Sequence, residues 1–113
     1  MPTAYKNGQI QGTSSTGTYA NLYSASASTT AVISSLVVTN TGSTAALYRV
    51  GIAPVSAGSP TLANGQFLVY DATVQGNDTI ALTLGITLSN SQRLYVSSSS
   101  NNVCFNAFVS EIT

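Results

Sequence analysis

Between Asn77 and Leu88 apolar and polar positions alternate, with Ile80, Leu82 and Leu84 set against Thr79, Ala81 and Thr83. A period of two predicts a strand with one buried face and one wet face. Gly76-Asn77-Asp78 ahead of it is turn chemistry, because Gly and Asn accept positive φ and Asp caps its own backbone. Gly85 interrupts the run as a bend or bulge. This is the plainest strand signal in the chain, and the other apolar runs read as its partners.

A first strand is predicted from about Tyr19 to Ala25, followed by a loose connection through Ser26, Ala27 and Ser28. The second covers Ala31 to Asn40. Val32, Leu36, Val38 and Asn40 share one parity there, and Ile33 and Val37 make the opposite face apolar as well. Apolar residues on both faces predict a central strand whose outer side is covered by a partner. After the turn Thr41–Thr44, a third strand runs from Ala46 to Ala53, with Tyr48, Val50 and Ile52 opposed to Arg49 and Gly51. Pro54 ends it, since proline cannot donate to the ladder. Val55 to Gln66 reads as a long loop and a candidate contact surface.

The fourth strand is Phe67 to Val74, with Leu68, Tyr70 and Ala72 opposite Phe67, Val69 and Asp71. Beyond the Asn77 run, Arg93 to Val96 is a strand with Leu94 and Val96 inward and Arg93 and Tyr95 outward. Ser97 to Asn102 is a polar turn. The last strand is Val103 to Ile112, where Val103, Phe105 and Ala107 alternate with Cys104, Asn106 and Phe108. Either face of it could be the buried one.

No segment carries a helical period. Short, regularly spaced strands rich in Thr, Val and Tyr predict an all-β, antiparallel β-sandwich of about seven or eight strands, immunoglobulin-like or jelly-roll. The antibody hallmarks are missing, with one Cys and no Trp, and a jelly roll needs roughly one strand more. Residues 1–18 are rich in turn formers and read as an extended N-terminal arm that orders on a neighbour, anchored by Tyr5, Ile10 and Tyr19. Residues 19–113 form the single sandwich domain.

Composition changes the picture. Of 113 residues only Lys6, Arg49, Asp71, Asp78, Arg93 and Glu111 are charged, the formal net charge is zero, and 43% of the chain is hydrophobic. A free monomer usually keeps about a quarter to a third of its surface charged, whereas this surface must be made of Ser, Thr, Asn, Gln, Ala and Gly. Such a composition suits a protein that lives packed against other protein. The absence of His removes the commonest general base and metal ligand. A lone Cys104 excludes an intrachain disulfide and any cysteine-cluster metal site, and reads as a small strand hydrophobe. The N-terminal residues lack the apolar core of a secretory signal, and no apolar run is long enough to span a bilayer. The chain is therefore expected to stay in the cytoplasm where it is made, or to leave as part of an assembly.

Candidate chemistry is sparse. Asp71 and Asp78 flank a turn and read as caps rather than paired acid and base. Arg49 and Arg93 provide no basic patch for nucleic acid and are expected to pair with Asp71, Asp78 or Glu111, within the chain or across an interface. The serines have no activating base, and the glycine turns match neither a P-loop nor a dinucleotide fingerprint. No enzyme activity and no cofactor are expected. Tyr23, Tyr70 or Tyr95, if exposed, could stack on sugars.

Thr30–Asn40, Leu47–Pro54, Gly76–Leu88 and the ending Phe105–Thr113 together resemble a family of small β-sandwich virion proteins of tailed bacteriophages. The likeness covers most of the chain after Thr18. Val109 departs from the Gly usual there, which puts the last turn or bulge in question. The resemblance implies a structural role with no catalytic residues to transfer. The motifs say little about where in the virion the protein sits. With the near-zero charge, the Thr/Ser/Asn surface and the N-terminal arm, the first expectation is a capsid decoration or cement protein, made in the host cytoplasm and bound to the virion's capsid surface. The major capsid protein would be its partner, and the chain would form a homo-oligomer, a trimer at three-fold positions being favoured. Neither nucleic acid nor a membrane is an expected partner. A tail, neck or baseplate adaptor, and a carbohydrate- or host-surface-binding module, are the alternatives. The candidate interface residues are Tyr5, Ile10, Tyr19, Ile33, Val37, Arg49, Phe67, Arg93 and Tyr95.

Overall fold

The computed structural model describes residues 3–25, 28–54, 62–83, 85–89 and 92–112. Their strands are β1 (Thr3–Gln11), β2 (Ala20–Ser24), β3 (Thr30–Asn40), β4 (Ala46–Pro54), β5 (Phe67–Val74), β6 (Asp78–Leu82), β7 (Ile86–Leu88), β8 (Gln92–Ser98) and β9 (Val103–Ile112). A single 3-10 turn, Asn64–Gln66, precedes β5. All pairings are antiparallel, in two sheets: β1-β9-β3-β6, with β7 also on β3, and β2-β8-β4-β5.

β6 lies along Leu36–Asn40 and β7 along Ala31–Ile33, so both follow the same edge of β3. The gap between them contains Gly85, at φ +61°. Here the expected bend occurs, because glycine enters the left-handed region without a Cβ clash. Counted as one interrupted strand, β6 and β7 complete two four-stranded sheets whose strands interleave in the jelly-roll manner. Of the two expected sandwiches, the topology is the jelly roll.

The core fills the space between the sheets. Ile33, Leu36 and Val38 of β3 and Val103, Phe105 and Ala107 of β9 meet Tyr48 and Val50 of β4, Leu94 and Val96 of β8, and Val74 and Leu88. Tyr48 and Phe105 pack edge to face across the layers, 6.3 Å between centroids. Asn40 is buried but satisfied: its Nδ2 donates to the carbonyls of Thr44 and Val74, and its Oδ1 accepts from the Gly42 amide. That locks the β3–β4 turn to the core.

Several expectations change. The alternating run from Asn77 forms the edge strand β6, with Ile80 and Leu82 only half-buried; β3, paired to both β9 and β6/β7, is one of the two inner strands of its sheet. Leu84 lies outside the described residues. In β3 the register shifts between Ile33 and Ser35. That bulge at Ser34 adds one residue and reverses the parity. Ala31 and Ile33 before it therefore point inward together with Leu36 and Val38 after it. Ile33 is thus a core residue and does not face a partner. A second bulge around Tyr70 and Asp71, with Asp71 at φ +53°, does the same in β5 and turns both Val69 and Ala72 toward the core.

Residues 3–11, expected within an arm ordered on a neighbour, pair with the chain's own β9 in nine unbroken register positions. The pattern hid this strand because its inward positions are Ala4, Lys6, Gly8 and Ile10, of which only Ile10 packs on the core. Gly8 suits the place: a Cβ there would stand 2.9 Å from the Leu22 carbonyl oxygen, so its absence lets β1 close onto β2. Residues 55–61 of the expected contact loop lie outside the described residues. The last strand is settled as well. Val103, Phe105, Ala107 and Val109 point in, and Phe108 points out.

Candidate interaction surfaces

The outer face of the sheet β1-β9-β3-β6/β7 follows from these registers. Residues opposite one another share a face, so Tyr5, Asn7, Gln9 and Gln11 stand with Ser110, Phe108, Asn106 and Cys104. Beyond β9 the same face continues through Val32, Val37 and Thr39 of β3 to Thr87, Ala81 and Thr79. By register none of the six charged residues points out from it, although Lys6, 58% exposed, borders it at the β1 edge. Lys6 and Glu111 occupy inward positions, and Asp78 starts β6 with its carboxylate capping the Thr79 amide at 2.9 Å. Tyr5 is 83% and Phe108 43% exposed, and between them lies an open depression of about 390 Å³. The face is neutral, half-apolar and uncovered among the described residues.

Much of the opposite sheet is covered by the chain itself, while Leu47 and Tyr70 at its β4/β5 side stay exposed. Residues 12–19 cross from β1 to β2 and are tied to the end of β8. Thr13 Oγ1 accepts from the Ser98 amide at 3.0 Å, Ser98 Oγ donates to the Thr13 carbonyl at 2.9 Å, and Ser97 Oγ donates to the Thr16 carbonyl at 2.9 Å. Ser97 and Ser98, expected in a polar turn, are fully buried at the end of β8 with these partners. Further along the face, Tyr95 and Ala53 are buried under Leu62, with Tyr19 and Phe67 packed beside them. Tyr95 does point outward from its sheet, but at 2% exposure it is covered by its own chain and offers nothing to a partner.

Arg49 organises this covered face. Its Nε and Nη2 hold Asp71 in a two-point pair at 2.7 and 3.2 Å. Nη1 donates to the Thr16 carbonyl at 3.2 Å and to Tyr19 Oη at 2.9 Å, and Nη2 donates to Tyr70 Oη at 3.1 Å. All five guanidinium hydrogens are thereby used. The same group stacks on the Tyr70 ring, 4.2 Å from its centroid, and Phe67 meets Tyr70 edge-on at 4.9 Å. The hydrogen bonds from Arg49 hold the Asp71 carboxyl below its usual range, and Asp71 in turn keeps Arg49 firmly protonated. The expected in-chain pairing of Arg49 is therefore present.

At the β1/β2 side of the sandwich, Glu111 accepts a hydrogen bond from Tyr23 and pairs with Lys6 at 3.2 Å. This clasp joins β1, β2 and β9. It also takes Tyr23 out of the set of free tyrosines.

The structure thus gathers Arg49, Tyr19 and Phe67 into one cluster and places Tyr5 and Val37 on the neutral face. Ile10 packs inward. Arg93 is half-buried on the covered sheet, its Nε without a hydrogen-bond partner among the described residues. Phe108 and Asn106 on the neutral face went unnoticed in the sequence because their exposure depends on which face of β9 is buried, and Ser34 because it is the bulge residue of β3. Among the described residues no group of His, Cys, Asp or Glu is placed to hold a metal, and no helix is long and apolar enough to cross a membrane.

No family model matches the chain, and no curated protein matches it in sequence. Its fold recurs in a virus particle. A chain of the T13 particle of infectious bursal disease virus superposes over 97% of this chain, with a TM-score of 0.56 at 11% identity. A chain of the Gx strain of that virus does so over 97%, with a TM-score of 0.55 at 12% identity. This chain covers 31% and 32% of those two, about a third of their length. A pentameric capsid protein isolated from metagenomic phage sequences matches 93% of this chain and 59% of its own, at 15% identity and a TM-score of 0.38. At these identities the first two likenesses establish the sandwich architecture.

Proposed function

We propose that the chain is a bacteriophage virion structural protein, a capsid decoration or cement protein that binds the shell of major capsid protein. The observation that carries this reading is the outer face of β1-β9-β3-β6/β7, which is broad, nearly uncharged and half-apolar, on a molecule whose other sheet is covered by its own residues around Tyr95 and Ala53 and stays open at Leu47 and Tyr70. An uncharged face loses little on desolvation, and its Ser, Thr, Asn and Gln side chains can hydrogen-bond across a contact. The sandwich fold shared with a virus particle, and the resemblance of the stretches Thr30–Asn40, Leu47–Pro54 and Gly76–Leu88 noted in the sequence, support the same reading.

A cement protein acts by mass action. It binds area that exists only in the assembled shell, so occupancy stabilises the shell over its separated subunits. Each copy needs a contact of about 1,000 Å² or more in total. Self-association as a trimer at three-fold positions belongs to the same proposal. The chain's few charges, most of them paired internally, leave little repulsion between copies.

The test is the copy number in purified particles, measured by quantitative mass spectrometry against the major capsid protein. A ratio near one to one is expected. A few copies per hundred would move the protein to the tail, neck or baseplate, and complete absence would overturn the virion reading.

A further inference from the structure

We infer that Tyr70, Phe67 and Asn64 form a binding subsite for an uncharged pyranose ring on the covered sheet, facing away from the neutral face. The three residues line an open depression of about 360 Å³. That is room for one or two sugar rings and too small a patch for a stable protein contact.

Three observations point to a neutral sugar. The first is the platform. Tyr70 is 58% exposed, yet its ring is fixed by the Arg49 guanidinium stacked 4.2 Å from its centroid and by the edge contact with Phe67. A tyrosine so held and still more than half exposed presents its open surface already ordered, so a ligand meets little entropic cost in packing on it. Sugar rings carry patches of C–H bonds that pack on such a face.

The second is charge. The nearest cation has no N–H left to offer, since Arg49 spends its hydrogens on Asp71, Tyr19, Tyr70 and Thr16. Asp71 is neutralised by the same pair. A phosphate or carboxylate would find no free donor from Arg49, whereas an uncharged ligand needs no counter-ion. The third is the polar rim. Tyr70 Oη accepts from Arg49 and so keeps its own hydrogen to donate outward. The exposed Asn64 amide at the head of the 3-10 turn offers both a donor and an acceptor. Paired hydroxyls on a sugar match that set.

This inference does not rest on the virion reading, because it concerns the other face of the sandwich. The experiment applies the full chain to an array of neutral hexose and N-acetylhexosamine oligosaccharides with sialylated and sulfated glycans as the anionic arm. The hits are then followed by saturation-transfer NMR. Binding to neutral glycans that is insensitive to salt is expected. Tyr70→Ala and Asn64→Ala should each weaken it at least tenfold, while Tyr70→Phe, which keeps the ring, should stay within about fivefold. Asn64 lies on the surface outside both apolar clusters, so its variant tests the site even if Tyr70→Ala disturbs the fold. No neutral hit, hits confined to anionic glycans, or neutral binding that both alanine variants leave unchanged would overturn the inference.

Discussion

On the outer side of β2-β8-β4-β5, Tyr95 and Ala53 lie under Leu62, and Arg49 ties the crossing segment 12–19 to β4 and β5. On the outer side of β1-β9-β3-β6, Tyr5, Phe108 and Val37 have no such cover among the described residues, and the charge nearest them is Lys6, paired with Glu111 at the β1 edge. The two sheets contribute alike to one core but end in different ways. One outer face carries a saturated guanidinium, buried serines and a second apolar cluster. The other presents side chains that neither repel an approaching protein nor lose much hydration to it. The difference teaches where interaction energy is already spent and where it remains to be gained.

The largest effect on this contrast should come from Gly12, where the chain leaves β1 to cross over. A Cβ there would stand 2.6 Å from the Val103 carbonyl oxygen, which the Gly12 amide itself bonds at 2.6 Å. Gly12→Val should cost roughly 3 kcal/mol, the upper end of overpacking penalties, visible as a lower urea midpoint. Hydrogen exchange should then rise in residues 12–19 and at Ser97 and Ser98.

Arg49→Met comes next. It leaves Asp71, Tyr19 and the Thr16 carbonyl without their shared donor, and should destabilise by roughly 2 kcal/mol as charge-assisted bonds are lost. The exchange increase should be confined to the covered sheet, with β1 and β9 unchanged.

Acid should act through the same pair. The Asp71 pKa is lowered in the fold by the hydrogen bonds from Arg49, so the stability it adds is present above its ordinary value of 3.8 and is lost as pH falls through the lowered one. Titration of thermal stability should show this acid-side loss in the wild type. Asp71→Asn should be less stable at neutral pH and lack that part of the acid-side loss.

The smallest effect on stability should come from the open face. Val37→Lys and Phe108→Ser sit at half-buried and exposed positions, and each should change stability by about 0.5 kcal/mol or less. Each should nonetheless lower occupancy on purified capsids at least tenfold. Val37→Lys does so by placing a charge in a neutral contact.

How much of this the sequence carries depends on where the backbone departs from regular alternation. The strand spans Phe67–Val74 and Val103–Ile112 were legible to the residue, because alternation and turn residues bound them tightly. The facing of β3 was not. One extra residue at Ser34 moves Ile33 from the outer face to the core, and a bulge leaves no local mark in a run of Ser, Val and Ile. β1 was missed as a strand because main-chain pairing with β9 defines it, with Lys6 and Gly8 at inward positions where a strand would normally show apolar side chains. Tyr95 has the expected direction but not the expected exposure, since burial by Leu62 is a tertiary event. The Arg49–Asp71 pair was among the pairings expected, while its reach to Thr16, Tyr19 and Tyr70 depends on the crossing segment folding back.

Side-chain labelling by hydroxyl radicals, on the free protein and on the protein bound to purified capsids, tests the central claim most directly. Tyr5 and Phe108 report the open face, and Tyr70 reports the covered one. The account predicts that labelling of Tyr5 and Phe108 falls severalfold on the particle while Tyr70 stays as reactive as in free solution. Protection of Tyr70 with Tyr5 and Phe108 still labelled would contradict it.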